Sequence, residues 1–585
     1  MQHTAGNYEA FARPRPAQHA QETKAYIAGS GLAGLAAAVF LIRDAGVPGA
    51  NVTILEKGDV AGGALDGLDV PDKGFVIRGG RELEDHMECL WDMMRSIPSL
   101  ELEDASVLDE FYWLNKDDPN YSLRRATVRQ GEDAGHEGRF SLPKRAQKDL
   151  LRIFLAERAE MEGKRIDEVM SREFLDSPFW MYWRTMFAFE EWHSALEFKL
   201  YLHRFVHHIG GLPDFTALKF TKYNQYESFV PPLMHYLTEH GVVFQSGTEV
   251  LDVDFAHRNG EIRATAIHCR RDGTEETIEL GEHDLALMTI GSLVDNSDDG
   301  DHHTPAVLHE GPAPAWDLWK RIAKKDPSFG RPEVFCSSIE ETKWESATVT
   351  TLDQRIPAYI ERIAQRDPFS GRVVTGGIVT AEDSSWLLSW TVNRQPHFKK
   401  QPKDQIVVWV YGLFVDVEGD YVKKPLSQCT GEEITQEWLY HLGVPVEEIP
   451  GLAATGARCV PVMMPYVTSF FMPRRAGDRP RVVPEGAENF AFLGQFAETG
   501  RDTIFTTEYS VRTGMEAVYE LLDVERGVPE TWGSTYDVRD LLEASARMRD
   551  GKKVEISGPA ALRSYLRDRL EHGEIGQLLE EHGLI

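Results

Sequence analysis

Cysteine is scarce in this sequence, and the few cysteines lie far apart. The chain has 585 residues and five cysteines, none of them in a Cys-x-x-Cys pair. Zinc sites and disulfide frameworks need cysteines at close, recurring spacings. We therefore expect no metal site and no disulfide framework, but scattered reduced thiols of the kind found in intracellular enzymes.

Long apolar runs and an excess of positive charge are also missing. No stretch approaches the roughly 18 apolar residues of a membrane span. Residues 1–21 are polar and lack the apolar stretch of a signal peptide. The formal net charge is −30, which repels phosphate backbones, so nucleic acid is not an expected partner. These absences favour a cytoplasmic enzyme.

The first pattern that is present is a glycine-rich turn between a strand and a helix. Residues 25–28 predict a buried strand, and Gly29, Gly31 and Gly34 form G-x-G-x-x-G before an apolar helix. The glycines permit the tight turn, the approach of a pyrophosphate and close helix packing. Glu56 ends the next predicted strand, where it can bind a ribose diol. Together these features predict a dinucleotide site and not merely a structural turn.

Two further segments favour FAD as the dinucleotide. Gly62 and Gly63 follow Glu56, as in the extended motif of glutathione-reductase-type FAD domains. Near the far end, a predicted strand (490–493) and helix (507–521) match the late pair that closes the FAD site in such domains, although an ordinary βα unit has the same pattern. We expect cofactor contacts from Gly29, Ser30, Gly31, Gly34, Glu56, Gly62, Gly63, Arg81, Glu82, Gln495 and Thr507.

Aromatic residues are concentrated in one segment of the middle of the chain. Eleven of the 33 residues in 174–206 are Phe, Tyr or Trp, at spacings that allow helices throughout. One interpretation is a pair of core helices. The other is the wall of an apolar tunnel for an acyl chain, with Tyr201 and His203 as its polar groups.

Three other segments carry polar residues that have two interpretations each. Glu82 follows a Gly-Gly pair at the start of a predicted amphipathic helix. It either interacts with the helix dipole or acts as a catalytic acid. Gln225 begins an apolar helix and either caps a turn or points into a pocket. Thr391, Asn393 and His397 follow a predicted strand, and either cap a turn or bind a carboxylate together.

The remaining segments predict connecting and terminal elements. Residues 242–296 alternate as strands do and predict a small β unit that returns to the nucleotide domain. The acidic segment 295–301 lacks EF-hand spacing, so we expect a solvated loop there. The tail, 559–585, predicts short amphipathic helices flanked by arginines. These either dock on the protein or make reversible contact with a membrane.

Several long motifs resemble those of the oleate hydratases, a family also called myosin-cross-reactive antigens. They occur in the same order from about residue 6 to beyond residue 540: GNYEAFARPRP, GSGLAGLAAAVFLIRDAG, RGGRELEDH, KYNQYES, WTVNRQPHF and LGQFAE…EYSVRTGMEA. One departure is Leu83, where many members carry methionine. The tail is the least well matched part.

The resemblance implies an FAD-dependent hydratase that converts oleate to 10-hydroxystearate without net oxidation or reduction. Glu82 would position or activate the water, and Tyr201 would help to protonate the alkene. The fatty-acid carboxylate would be bound by Gln225, Thr391, Asn393 and His397. The rival functions are a flavin-dependent oxidoreductase or double-bond isomerase acting on an unsaturated lipid, and a lipid-binding flavoprotein without catalysis.

We therefore expect an α/β fold with a Rossmann-type FAD domain assembled from discontinuous segments, an inserted substrate domain, a helical cap and a C-terminal helical tail. Monomer and homodimer both remain open. The predicted divisions are an N-terminal arm (1–24), the FAD domain (25–130, 240–300 and 485–525), the helical cap or tunnel (131–239), the substrate domain (301–484) and the tail (526–585).

Overall fold

Chain segments that are far apart in the sequence combine into two units. The computed structural model describes residues 12–65, 67–80, 82–500, 502–503, 507–553, 574–582 and 584. The first unit comprises residues 1–132, 218–472 and 476–531. The second comprises residues 133–217, 473–475 and 532–585. The boundary at residue 218 lies inside the segment 131–239, which was expected to form one cap.

The α-helices occur in both units. The first nine are α1 (Leu32–Arg43), α2 (Glu88–Met94), α3 (Val107–Asp117), α4 (Lys144–Leu155), α5 (Arg158–Met161), α6 (Ile166–Val169), α7 (Arg172–Leu175), α8 (Pro178–Phe187) and α9 (Ala195–Arg204). They are followed by α10 (Gln225–Glu239), α11 (Pro314–Ala323), α12 (Glu333–Cys336), α13 (Ile339–Thr342), α14 (Arg355–Ala364), α15 (Gly431–His441), α16 (Ile449–Gly456), α17 (Thr507–Leu521), α18 (Val538–Met548) and a last helix at Glu574–Glu581. Short 3-10 helices lie at Gly49–Asn51, Val206–Gly211, Pro327–Phe329, Leu426–Gln428, Ser469–Phe471 and Ser534–Tyr536.

The strands up to the middle of the chain are β1 (Ala25–Ala28), β2 (Val52–Leu55), β3 (Leu68–Val70), β4 (Gly74–Val76), β5 (Ala126–Val128), β6 (Glu132–Asp133), β7 (Val243–Gln245), β8 (Thr248–Arg258), β9 (Glu261–Arg271) and β10 (Thr274–Glu279). The later strands are β11 (Leu285–Thr289), β12 (Asp298–Asp299), β13 (Trp344–Thr351), β14 (Val379–Ala381), β15 (Ser389–Thr391), β16 (Val407–Tyr411), β17 (Ala457–Met464) and β18 (Phe490–Leu493).

A five-stranded parallel sheet with the order β18-β11-β1-β2-β7 organises the first unit. Its strands are short apolar runs, as expected where helices cover a parallel sheet. Helix α1 packs against α17. The α/β fold with a parallel sheet is thereby confirmed. The predicted strands 25–28 and 490–493 and the predicted helix 507–521 have the expected bounds.

Two further sheets lie in the middle of the chain. The predicted small β unit is present as the antiparallel sheet β10-β9-β8, after which β11 returns to the parallel sheet. A mixed sheet has the order β12-β17-β13-β16-β15-β14-β5-β6. It carries β15, which leads into the loop with Asn393 and His397, and β16, which contains Trp409. Among the described residues, every helix is too short or too polar to span a lipid bilayer.

The aromatic segment of the second unit forms two helices and not one continuous helix. Helix α8 begins with Pro178 after Ser177, whose hydroxyl accepts the N–H of Trp180. It ends at Ala188, which adopts a left-handed conformation with φ of 58°. Helix α9 begins after Ser194, which caps it in the same way as Ser177 caps α8. The aromatic side chains pack between the two helices, as predicted for a core helix pair.

The prediction that Glu82 starts a helix is wrong. Helix α2 begins six residues later, at Glu88. Leu83 instead pairs with Lys219 in a two-residue antiparallel bridge, with N···O distances of 3.0 and 2.8 Å. The helix starts where the Glu508 carboxylate accepts the first free N–H groups of α2, at 3.1 and 2.8 Å. These partners come from distant parts of the chain, so local spacing does not reveal them.

Candidate functional site

The glycine-rich turn between β1 and α1 lies at the carboxyl end of the parallel sheet. Gly29 has φ of +95°, and its N–H donates to Leu55 O at 2.8 Å. A Cβ at Gly34 would lie 2.2 Å from Gly29 O, so a side chain there would push α1 off the turn. Gly31 is the N-cap of α1, and among the described residues no side chain caps the first N–H groups of the helix. Such a helix start suits an anion such as a phosphate.

The Gly62-Gly63 pair packs directly on this turn. The N–H of Gly62 donates to Ser30 O at 2.9 Å, and a Cβ at Gly63 would lie 2.9 Å from the Cα of Gly31. Both glycines have positive φ. Any side chain at Gly63 would therefore fill the space where a dinucleotide can approach the backbone.

Glu56 follows β2 at the same edge of the sheet. Its Oε2 accepts the N–H and the hydroxyl of Ser30, at 2.8 and 2.5 Å. Its Oε1 accepts the N–H of Gly58 at 2.8 Å. A carboxylate oxygen has room for two donors, so Oε1 can still accept a ribose hydroxyl while the carboxylate braces the turn.

The late strand and helix bring the other expected cofactor contacts to this edge. Gln495 is half-buried just after β18, next to Gly494, whose N–H donates to the hydroxyl of Thr513 at 3.0 Å. Thr507 begins α17, and its hydroxyl lies 3.6 Å from the sulfur of Met87. Arg81, the remaining expected contact, lies outside the described residues.

A cavity in the first unit brings three of the four expected carboxylate ligands together. Its wall includes Gln225, Asn393 and His397, with the other lining residues Ile77, Gly79, Gly80, Phe220, Thr221 and Asn224. The N–H and side-chain amide of Asn224 both donate to His397 O, at 2.9 and 3.1 Å. These two bonds join the start of α10 to the loop after β15.

The polar groups that line the cavity carry no charge at neutral pH. His397 is 6% exposed, and burial lowers its pKa to about 4, so the imidazole is neutral. Its Nδ1 makes no hydrogen bond with any described residue. Gln225 is 2% exposed and begins α10, whose cap is Asn224. The buried, neutral imidazole of His397, whose Nδ1 faces no described hydrogen-bond partner, suits a polar ligand group that enters the cavity.

Thr391 differs from the other three expected ligands. It does not line the cavity, and its hydroxyl lies 3.1 Å from the hydroxyl of Thr375, in hydrogen-bond contact. Both hydroxyls are buried between β15 and the segment that precedes β14. In this structure Thr391 therefore supports the wall and does not form it.

Glu82 lies beside the same cavity. An ideal Cβ on Gly80, one of the lining residues, would be 2.9 Å from Glu82 Oε1 and 3.0 Å from the ring of Trp409. Glycine at position 80 thus leaves space for the carboxylate. The bridge between Leu83 and Lys219 holds this segment next to the Phe220 part of the cavity wall.

Tyr201 belongs to the second unit, in α9. Its ring is fully buried and makes edge-to-face contacts with Phe187 and Phe189, at centroid distances of 5.2 and 5.1 Å. Phe205 completes the surround at 5.7 Å. Such edge-to-face packing holds a phenol ring in one orientation.

Sequence analysis did not identify Asn224 as part of the site. A signal was present, because Asn224 is followed three residues later by Glu227, in the pattern of a helix cap. The structure shows this cap, with Asn224 Oδ1 accepting the N–H of Glu227 at 3.0 Å. The next residue, Gln225, lines the cavity as well.

The parallel sheet, its glycine-rich turn and the adjacent cavity define an α/β protein of the dinucleotide-binding class. A model of the MCRA family matches residues 22–519, and the chain belongs to this family.

Two named relatives are similar in sequence to this chain over most of their length. The chain is 48% identical to the oleate hydratase of Streptococcus pyogenes serotype M49 (strain NZ131) over 591 aligned residues, covering 100% of both chains. It is 29% identical to the linoleate hydratase of Lactiplantibacillus plantarum, over 90% of this chain and 99% of the relative. A solved structure, cyclohexylamine oxidase from Brevibacterium oxydans IH-35A, is a distant likeness at 12% identity and a TM-score of 0.47, covering 86% of this chain and 98% of that chain.

Proposed function

We propose that this protein is a fatty-acid hydratase, a hydro-lyase that adds water across the cis-9 double bond of oleate and related unsaturated fatty acids to give 10-hydroxystearate and its analogues. The observation that carries the proposal is the full-length similarity to a named oleate hydratase at 48% identity. The uncharged cavity formed by Gln225, Asn393 and His397 supports it, because a carboxylate is the anion that such a substrate offers.

We propose FAD as the cofactor, with the turn between β1 and α1 as its pyrophosphate site. The Gly31–Gly63 contact leaves a cradle that a side chain would fill, and Glu56 has acceptor capacity for a ribose hydroxyl. Both features fit a dinucleotide. When bound, the flavin would supply a polar wall to the site, with no net transfer of electrons.

The protein's own residues then have three tasks. Gln225, Asn393 and His397 anchor the carboxylate, and this anchoring decides which carbon reacts. Glu82 orients the water and accepts its proton as the oxygen bonds to carbon 10. Tyr201 donates the proton that bonds to carbon 9. The proton taken from water replaces the one given to the alkene, so the reaction is balanced without an oxidant.

Hydration of oleate in water enriched in oxygen-18 tests the reaction class. With FAD bound, we expect hydroxystearate that carries the heavy oxygen on carbon 10, detected by mass spectrometry. A hydroxyl oxygen from O₂ would indicate an oxygenase, and a shifted double bond without added water would indicate an isomerase. Unchanged oleate, with FAD demonstrably bound, would exclude oleate as the substrate.

Two substitutions test the assigned roles. Glu82→Ala and Tyr201→Phe should each slow hydration at least ~100-fold, the usual scale for losing an acid–base group, while FAD binding and the fold are retained. Glu103→Ala and Tyr112→Phe are matched controls, because both side chains are exposed. Rates equal to those of the controls would remove these roles from Glu82 and Tyr201.

We further propose that the enzyme works in the cytoplasm and contacts the inner face of the cell membrane through its tail. The support is the sequence pattern of residues 559–585, most of which lie outside the described part of the chain. Co-sedimentation with anionic vesicles tests this contact, and equal sedimentation with neutral vesicles or none at all would overturn it.

A further inference from the structure

We propose that Asp420, Glu437 and His441 form a binding site for a divalent transition-metal ion, zinc in particular, in the first unit. The three side chains each offer one ligand atom, and these atoms lie within 4.8 Å of one another. The site is separate from the cavity and from the dinucleotide turn, and it involves none of the residues assigned to hydration.

The imidazole nitrogen lies from each carboxylate oxygen at the separation that zinc imposes. His441 Nε2 lies 3.3 Å from Asp420 Oδ2 and 3.3 Å from Glu437 Oε1. Nitrogen and oxygen ligands bind zinc at about 2.0–2.1 Å in a tetrahedron, which sets them about 3.3–3.4 Å apart. Glu437 and His441 are one turn apart on α15, so they share a helix face.

The imidazole of His441 is buried and points between the two carboxylates. The side chain is only 4% exposed, and within the described chain its Nε2 has no partner in hydrogen-bond geometry, although both oxygens are near. A buried polar atom without such a partner needs an explanation. A metal ion bound by all three atoms provides one, because the nitrogen lone pair then has an acceptor.

Backbone and side-chain donors orient both carboxylates. Glu437 Oε2 accepts the N–H groups of Tyr421 and Val422 at 2.9 and 2.8 Å, and Oε1 accepts that of Asp420 at 2.7 Å. Asp420 accepts the N–H and the hydroxyl of Ser385 at 2.8 and 2.6 Å. Hydrogen bonds of this kind hold metal-ligating carboxylates in place in known sites.

The donor set favours zinc over other common ions. One imidazole and two carboxylates suit zinc, whereas magnesium and calcium prefer more ligands, all of them oxygen. Three protein ligands leave the fourth position of the tetrahedron for water. The side chain of Asp420 is 27% exposed, which gives solvent a route to that position.

The proposed ion would connect three parts of the chain. It would link α15 to the loop at 418–425 and, through Ser385, to the turn before β15. The loop after β15 carries Asn393 and His397. The alternative is an imidazolium ion that pairs with both carboxylates and holds the same segments without metal.

Zinc titration of the full-length, chelator-treated protein separates the two cases. We expect the wild-type protein to retain one equivalent of zinc after desalting, measured by mass spectrometry of the metal. His441→Gln should weaken the affinity at least ~100-fold, because zinc loses one of its three protein ligands. His303→Gln is the matched control, because His303 lies in another cluster with His302 and Glu432. This variant should still retain one equivalent of zinc.

Two further measurements keep the test decisive if His441→Gln does not fold, as judged by circular dichroism. Asp420→Asn changes a partly exposed ligand and should also abolish tight binding. Ser385→Ala should weaken zinc affinity by about 10–100-fold, the usual effect of removing a group that orients a ligand. No bound zinc in the wild-type protein, or equal binding by wild type and the ligand variants, would overturn the proposal.

Discussion

The surroundings of His397 and of His441 have opposite electrical character, although both histidines are buried in the first unit. His397 lies among uncharged amides, and burial lowers its pKa to about 4. His441 lies 3.3 Å from the oxygens of two carboxylates. The structure therefore places one imidazole among uncharged amides and the other between two carboxylates.

This difference indicates whether each region can bind an anion or a cation. A neutral histidine with amide neighbours offers hydrogen bonds to an anion. A histidine with two carboxylates offers lone pairs to a cation. Burial is similar in the two regions, so the neighbouring groups, and not burial, distinguish the proposed substrate cavity from the proposed metal site.

The largest effect on oleate affinity is expected when a negative charge is placed in the cavity. His397→Asp should weaken oleate binding about 300-fold at pH 7, because two like charges brought together in a buried site cost several kcal/mol. His397→Gln, which keeps an uncharged polar group, should cost far less. Binding of oleate to FAD-loaded protein can be measured by calorimetry, and equal affinities of the two variants would contradict the anionic role of the cavity.

A second substitution distinguishes an effect on the chemical step from an effect on substrate binding. Gly80→Ala places a methyl group 2.9 Å from Glu82 Oε1 and 3.0 Å from the Trp409 ring, so the carboxylate must move. We expect kcat to fall by about 100-fold, the scale of a misplacement near 1 Å, with KM nearly unchanged. Gly311→Ala is a control, because nothing lies within 4 Å of its added methyl group. A change in KM alone would show that Glu82 does not act in the chemical step.

The low pKa of His397 also makes stability depend on pH. The unfolded histidine binds a proton near pH 6.5 and the folded one near pH 4, so the neutral form stabilises the fold fully above pH 6.5. This contribution is lost as pH falls from 6.5 towards 4. Between pH 7 and pH 5 the loss should be about 2 kcal/mol.

The measurement is the difference in urea-unfolding free energy between pH 7 and pH 5, for wild type and for His397→Gln. The variant should lose about 2 kcal/mol less than the wild type, by the same linkage. Other titrating groups cancel in this comparison. Identical pH dependence of the two proteins would mean that His397 is not held neutral by the fold.

The smallest effect on binding is expected at Thr391. Its hydroxyl contacts Thr375 and not the cavity, so Thr391→Val should change oleate affinity less than about threefold while lowering stability by about 1 kcal/mol, the scale of one hydrogen bond. Asn393→Leu, at a lining position, is the comparison and should weaken affinity by at least ~10-fold. A larger loss of affinity in Thr391→Val would place the hydroxyl among the ligands after all.

Local patterns were sufficient to predict the elements around the dinucleotide turn. The apolar runs of β1 and β18, the glycines of the turn and the helix at 507–521 are features of adjacent residues, and the structure has them at the expected places. The helices of the aromatic segment were likewise predicted from spacing, although the spacing left a core helix pair and a tunnel wall as alternatives. In each case the residues that decide the conformation are neighbours in the sequence.

Long-range partners explain what local patterns could not predict. The segment at Glu82 is extended because Leu83 pairs with Lys219, and α2 starts late because of the Glu508 carboxylate. The cluster at His441 was missed for the same reason. Only Glu437 is close to His441 in the sequence, while Asp420 joins them through the fold of a loop.

The order of strands in the parallel sheet has a consequence for synthesis of the protein. The central strand β1 ends at Ala28, but its neighbour β11 and the edge strand β18, which ends at Leu493, are made much later. At about 5–20 residues per second, β18 leaves the ribosome roughly half a minute to a minute and a half after β1. The parallel sheet can therefore be completed at its β11 edge only when nearly the whole protein has been translated.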